Sequence, residues 1–269
     1  MKTLIHICKS LGWGVLFAST ALAHPTVEIT TQDGNQCWGV AVGACVLSVQ
    51  HCLGPGDGGL VRGSAERRID RVVSPGRLAE YGAESDLSLA RLERGMPGAS
   101  SLTDFARAIP KSANRSALKT VEGFWEDARA IHALTDKVDA LIEANALTEL
   151  EMTTRELVAQ KGLFTQHTVR WLNESPPRGV SVSLAVPTER VEGQFLGALG
   201  AGRGLAVISN QRVFHRGDSG SSLENREGKI LGLLSHLLGG AQGGARLLIY
   251  TPIAEYLPWL DKAYRDLDC

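Results

Sequence analysis

Arg216-Gly217-Asp218-Ser219-Gly220-Ser221 is turn chemistry placed just before an apolar segment that starts at Ser222-Leu223. Flanking glycines let backbone come close to another group and let N–H groups converge on one point. A serine in such a turn can act as a nucleophile, because adjacent main-chain N–H groups can hold an oxyanion. Alone, the motif also fits a plain tight turn. Its meaning depends on what else the chain supplies.

Two upstream segments supply it. Val46-Leu47-Ser48-Val49-Gln50-His51-Cys52 puts a histidine directly before a cysteine at the end of an apolar strand. Ser85-Asp86-Leu87-Ser88-Leu89-Ala90-Arg91-Leu92 opens near an acid and runs into alternating apolar positions. A serine hydroxyl is a weak nucleophile near neutral pH and needs a base within hydrogen-bond reach. A carboxylate must then orient that base and stabilise it once protonated. The order His–Asp–Ser is the chymotrypsin order, not that of subtilisin or the α/β-hydrolases.

On these motifs the chain resembles the trypsin/chymotrypsin-like serine proteases. Family members commonly read Thr-Ala-Ala-His-Cys, Asp-Ile-Ala-Leu and Gly-Asp-Ser-Gly-Gly-Pro. The counterparts are Ser48-Val-Gln-His-Cys52, Asp86-Leu-Ser-Leu89 and Gly217-Asp-Ser-Gly-Ser-Ser222. Ile230-Leu-Gly-Leu-Leu-Ser235 resembles the strand that flanks the substrate main chain, and Tyr250 to Leu260 the closing strand and C-terminal helix. The resemblance implies Ser219 as nucleophile, His51 as general base and then acid, and Asp86 as the orienting carboxylate. It implies the N–H groups of Gly217 and Ser219 as oxyanion donors. Ser235 falls near the aspartate and the substrate backbone, while Val213, Phe214, Arg216, His236 and Leu237 fall around the substrate cleft, with His215 beside it.

The pattern departs from the family in three places. The stretch His24-Pro-Thr-Val-Glu28 does not resemble the Ile-Val-Gly-Gly terminus of many animal members, whose new amino group pairs with the aspartate that is Asp218 here. Asp218 therefore needs another partner, as in bacterial members active without that terminus. Six residues before Ser219, where trypsin-like members carry an acid, stands Val213. A buried acid is what pairs with Lys or Arg of a substrate, so tryptic specificity is disfavoured. The family's cysteine pair beside this pocket is also missing, and a long helical segment has no counterpart.

That segment lies between two β-patterned regions. Val27–Thr31, Trp38–Val49, Gly59–Val61, Arg68–Val73 and Leu87–Leu92 read as short strands broken by turns such as Gly54-Pro-Gly-Asp-Gly-Gly59. From about Thr103 to Gly162, Val121, Phe124, Trp125, Ala128, Ile131, Leu134, Val138, Leu141 and Ile142 recur at helical spacing. Thr148-x-x-Glu151 reads as a capping box opening a second helix that ends near Gly162. The stripe reads as a core-facing seam, with His132, and nearby His167, as surface groups. β character resumes over Thr168–Leu172, Val180–Val186, Gln194–Leu199, Leu205–Ser209, Lys229–His236 and Ala245–Tyr250, before a helix over Ile253–Tyr264.

The expected architecture is mainly β. A first unit at 24–100 carries His51 and Asp86, a helical insert follows at 101–163, and a second unit at 164–269 carries Ser219. The family resemblance makes each β unit a six-stranded antiparallel barrel. Residues 1–23 read as a secretory signal peptide: Lys2 and Lys9, the apolar run Leu11 to Ala18, then Ala21-Leu22-Ala23. The apolar run is too short to span a bilayer. Export, to the periplasm or outside, leaves Cys37, Cys45, Cys52 and Cys269, an even number that favours disulfides over metal ligation. Spacing alone leaves three pairings open. The resemblance pairs Cys37 with Cys52 around the histidine loop, leaving Cys45 and Cys269 to tie the C-terminal helix to the first barrel.

With 28 basic against 29 acidic residues, the net charge of −1 gives no basic excess for nucleic acid and no polybasic stretch for a membrane surface. No metal or organic cofactor is expected. The expected function is an exported serine endopeptidase acting on protein or peptide substrates without a membrane anchor. The rival is a non-catalytic binding protein on the same fold, with the helical insert as its interaction element.

Overall fold

The computed structural model describes residues 26–75, 86–174, 177–186, 189–200, 204–211, 214–240 and 245–269, with only the backbone of Arg216 and Gly240. The expected signal peptide and Val213 lie outside these residues. The first unit has six strands: β1 Thr26–Thr31, β2 Gln36–Val42, β3 Cys45–Ser48, β4 Gly59–Arg62, β5 Glu66–Val73 and β6 Ser88–Leu92. They close into an antiparallel barrel in the order β1-β2-β3-β6-β5-β4. Alternation drives it. On β1, Val27 and Ile29 point into the core while Glu28 and Thr30 remain partly exposed. The apolar stretch Trp38–Val49, read as one strand, is a hairpin: Gly43 and Ala44 turn the chain, and Val40 then pairs with Leu47.

The second barrel repeats the plan. Its strands are β7 Val180–Val186, β8 Glu189–Ala198, β9 Leu205–Ser209, β10 Ser222–Glu224, β11 Ile230–Gly240 and β12 Arg246–Pro252. They close as β10-β11-β12-β9-β8-β7. Two long helices lie between the barrels in sequence, α1 Arg115–Glu143 and α2 Leu147–Glu174, and a short one, α3 Leu257–Asp266, follows β12. None of the described helices is long and apolar enough to cross a membrane.

Asn114 caps α1, accepting the Ala117 N–H at 3.0 Å. The chain reverses through Asn145, whose φ of 52° is the left-handed conformation that asparagine tolerates at a helix end. The second helix differs from its expected form at both ends. It starts at Leu147, so Thr148 lies within the first turn instead of capping it. It also runs through Gly162 to Glu174, so the insert does not stop at 163 and Thr168–Leu172 is helix, not strand.

Packing explains the extension. An interior glycine costs about 1 kcal/mol relative to alanine. Beyond it, Phe164, Thr168, Trp171 and Leu172 recur at helical spacing and meet the second barrel. Phe124 packs edge-on against Phe164 at 6.2 Å and against Trp171 at 5.5 Å. The β-branched and aromatic run that looks like a strand serves as a helix face once a barrel covers it.

The barrel-facing seam is shorter than the stripe suggests. On α1 only Ala117, Leu118, Val121 and Phe124 are buried. Towards the tip of the hairpin Ile142, Leu147, Met152 and Val158 are exposed. Ala263, Leu260 and Tyr256 of the C-terminal segment pack into the first barrel's core, with Phe105 and Ile230 joining the same cluster from the inter-barrel connection and β11.

Candidate active site

Strand pairing explains why His51 and Asp86 meet. β3 and β6 are neighbours, with Ser48 opposite Ser88. His51, three residues beyond the end of β3, and Asp86, two residues before β6, therefore share one rim of the first barrel. A tight turn, in which the Cys52 and Leu53 N–H groups donate to the Val49 carbonyl, presents His51. The Cys37–Cys52 disulfide anchors the next residue to β2.

On the facing rim, β10 and β11 pair with Ser222 opposite Leu233, so Ser219 and Ser235 lie near the same end of the second barrel. The serine turn is pinned on two sides. Trp38 of β2 donates its N–H to the Ser219 carbonyl at 2.8 Å, and the Gly220 N–H donates to the Leu234 carbonyl at 2.8 Å. Gly220 has φ +85°, and a Cβ there would overlap the Trp38 carbonyl. Only glycine allows the two barrels to approach at this point. The Ser48 hydroxyl donates to the same carbonyl at 2.7 Å.

The structure brings His51, Asp86 and Ser219 together. His51 Nδ1 lies 2.8 Å from Asp86 Oδ2, and its Nε2 lies 2.9 Å from Ser219 Oγ. The His51 backbone N–H donates to Asp86 Oδ1 at 2.9 Å. Ser235 donates its hydroxyl to Asp86 Oδ2. Burial pushes the Asp86 carboxyl up, but the hydrogen bond and charge of His51, the Ser235 hydroxyl and the His51 N–H outweigh it and leave the group below the usual carboxylate range. An ionised Asp86 only accepts hydrogen bonds. His51 therefore carries its proton on Nδ1 and turns the lone pair of Nε2 toward the Ser219 hydroxyl, the arrangement in which it can take that proton. The His51 side chain is 46% exposed and that of Asp86 16%, so the imidazole is open to a ligand while the carboxylate is covered.

Gly217 sits in a short helical turn, Arg216–Asp218, just before Ser219. The Asp218 carboxylate is buried and accepts the His215 N–H at 2.8 Å. The turn closes through the Asp218 N–H, which donates to the His215 carbonyl at 3.0 Å. Asp218 thus has a partner within its own loop.

The other expected site residues divide. His236 and Leu237 are exposed on β11 beyond Ser235. Phe214 is 3% exposed and packs in the core of the second barrel with Val182, Leu184 and Leu223. Its apolar side chain serves the interior of that barrel. Trp125 is the residue sequence reasoning missed. Its place in the helical stripe marks it as seam, yet its ring lies 5.0 Å from that of His236, edge to face. No sequence signal pairs residues so far apart. Cys45 and Cys269 form the second bridge. Among the described residues, no group of three or more His, Cys, Asp or Glu could hold a metal ion.

No known family model matches the chain, and no curated protein matches it by sequence. Solved structures do. Kallikrein-related peptidase 10 matches with a TM-score of 0.50 and 17% identity over 91% of this chain and 98% of that one. A Glu endopeptidase, solved with MPD, matches with a TM-score of 0.47 and 12% identity over 90% and 92%. The two closed six-stranded barrels and the likeness to kallikrein-related peptidase 10 define the chymotrypsin-like two-barrel fold, with a helical hairpin between the barrels in sequence.

Proposed function

We propose that this protein is an exported serine endopeptidase, with Ser219 as nucleophile, His51 as general base and acid, and Asp86 as orienting carboxylate. One observation carries the reading: His51 lies between the other two groups, 2.8 Å from the carboxylate and 2.9 Å from the hydroxyl. Ser219 Oγ attacks the scissile carbonyl carbon as its proton passes to His51 Nε2. The N–H groups of Gly217 and Ser219 hold the oxyanion. The imidazolium then protonates the leaving amine. Water, activated by the same nitrogen, hydrolyses the acyl-enzyme through a second oxyanion. Asp86 stays ionised throughout, which its depressed proton affinity supports. Asp218, bonded within its own loop, supports activity without a newly cut amino terminus. With Val213 where tryptic members carry an acid, cleavage after Lys or Arg is disfavoured.

The reading that competes is a non-catalytic binding protein. The exposed apolar side chains Ile142, Leu147, Met152 and Val158 on the hairpin favour it. Labelling with a fluorophosphonate followed by peptide mapping separates the two. The hydrolase reading expects the label on Ser219, and its loss in a folded Ser219→Ala variant. An unlabelled wild type, or label persisting in that variant, overturns it.

A further inference from the structure

The helical hairpin reaches the candidate active site through β11. This strand slips register against β12 twice, between Leu234 and His236 and again between Leu237 and Gly239. Such bulges re-aim side chains. Here Ser235 turns to Asp86, while the next residue, His236, meets α1 through Trp125. Three residues further, α2 sits on the same strand. Thr168 is fully buried there, and Gly239 leaves it room, since a Cβ at Gly239 would overlap the threonine methyl. Both helices therefore grip the strand that carries Ser235.

Proton accounting gives the contact a direction. Ser235 Oγ has one proton, and it goes to the Asp86 carboxylate. His236 Nδ1 lies 2.8 Å from the same oxygen. Ser235 can only accept there, so His236 must donate from Nδ1. One edge of the His236 ring is exposed, but packing against Trp125 desolvates the rest and holds the group below the ordinary imidazole range against the pull of Asp86, while the charges of His51 and His132 lower it further. A neutral ring has one N–H, and the bond to Ser235 places it on Nδ1. A hydroxyl that accepts a hydrogen bond becomes a stronger donor. The chain of contacts runs from Trp125 to His236, Ser235, Asp86, His51 and Ser219.

We propose that His236, held by Trp125, is a positioning residue: it keeps the Ser235 hydroxyl on Asp86, so that the hairpin sets the geometry of the His51–Asp86–Ser219 array. The effect on reactivity rests on the hydrolase reading above, whereas the effect on geometry does not. The full chain is tested with His236→Phe, which keeps a ring against Trp125 but removes the donor, and with Trp125→Ala. His236→Asn supplies an amide N–H near the lost Nδ1. One readout is the second-order rate of fluorophosphonate labelling at Ser219. The other is the downfield NMR resonance of the proton between His51 Nδ1 and Asp86, which needs no turnover.

His236→Phe and Trp125→Ala should each slow labelling about tenfold, because small misplacements of reacting groups are costly. Both should move the resonance. His236→Asn should return the rate to within about twofold of wild type and restore the resonance. A His236→Phe protein with wild-type rate and an unmoved resonance overturns the proposal, even if cleavage of long peptides falls, since His236 would then only wall a subsite. If the wild type resists labelling while the resonance still moves in His236→Phe, the hydrolase reading fails and the positioning role stands.

Discussion

The two barrels share one topology and differ in how their outsides are finished. The strand order β1-β2-β3-β6-β5-β4 recurs, six strands on, as β7-β8-β9-β12-β11-β10. In the first barrel, β5 presents Glu66, Arg68, Asp70 and Arg71 to solvent. Both disulfides, Cys37–Cys52 and Cys45–Cys269, tie down this half, and a ten-residue helix, α3, packs on it. In the second barrel, Leu205 and Val207 of β9 face the interior, while Ala206 and Ile208 face the helical hairpin. Leu248 and Tyr250 of β12 point inward, and Leu247 and Ile249 outward to the same helices. Cross-links complete one half and an apolar cover completes the other. A sheet covered on both faces reads as an unbroken apolar run, while one facing water alternates.

The difference predicts that the halves fail separately. The largest effect is expected on the first barrel. Cys269→Ser, with Cys45→Ser to avoid a free thiol, opens a bridge between residues 224 positions apart. It should cost about 4 kcal/mol, most of it from greater freedom of the unfolded chain. Denaturant titration measures the loss, and hydrogen exchange should show protection falling first in β1–β6. Loss appearing first in β7–β12 would mean that the bridge does not serve the barrel to which it is attached.

Next in size is the hairpin's hold on the second barrel. Leu172, 2% exposed, lies in the cluster between α2 and the outer face of β8, β9 and β12. Leu172→Ala should cost about 3 kcal/mol, the transfer and cavity terms together. Protection should fall in β8, β9 and β12 while the first barrel stays closed. An equal loss in both halves would merge them into one cooperative unit.

The smallest effect depends on pH. Glu224 of β10 is buried, and burial pushes its carboxyl up to about 7, against the pull of Arg190 and a hydrogen bond from Ser222. The folded state then holds this proton more tightly than the unfolded state, whose carboxyl has the ordinary value of 4.5. The contribution is complete below that value and is lost as pH rises through about 7. Between pH 5 and 7 it should cost the wild type about 2 kcal/mol. Glu224→Gln should flatten that part of the stability profile. Melting curves at several pH values check this, and parallel profiles for the two proteins would show that Glu224 does not set the slope.

Most strand positions were legible because alternation and turn residues are local. The expected strands at Val180–Val186 and Leu205–Ser209 match the observed ones. The errors fell where a distant surface decides. Thr168–Leu172 has strand composition, and its helical row matters only once the second barrel lies beneath it. The Gly43–Ala44 turn hides inside an apolar stretch because both arms of the hairpin are buried.

From its residues alone the chain set the chemical inventory: a hydroxyl in a glycine-flanked turn, an imidazole at a strand end, a carboxylate before another strand, and their order. Those properties belong to side chains and short spacings. Folding decided which atoms face each other. That His51 meets Asp86 through Nδ1, and that Trp125 bears on His236, follow from strand register and helix docking between segments far apart in the chain. Hydrogen bonds work only within a few tenths of an ångström, and no local pattern carries position across such distances.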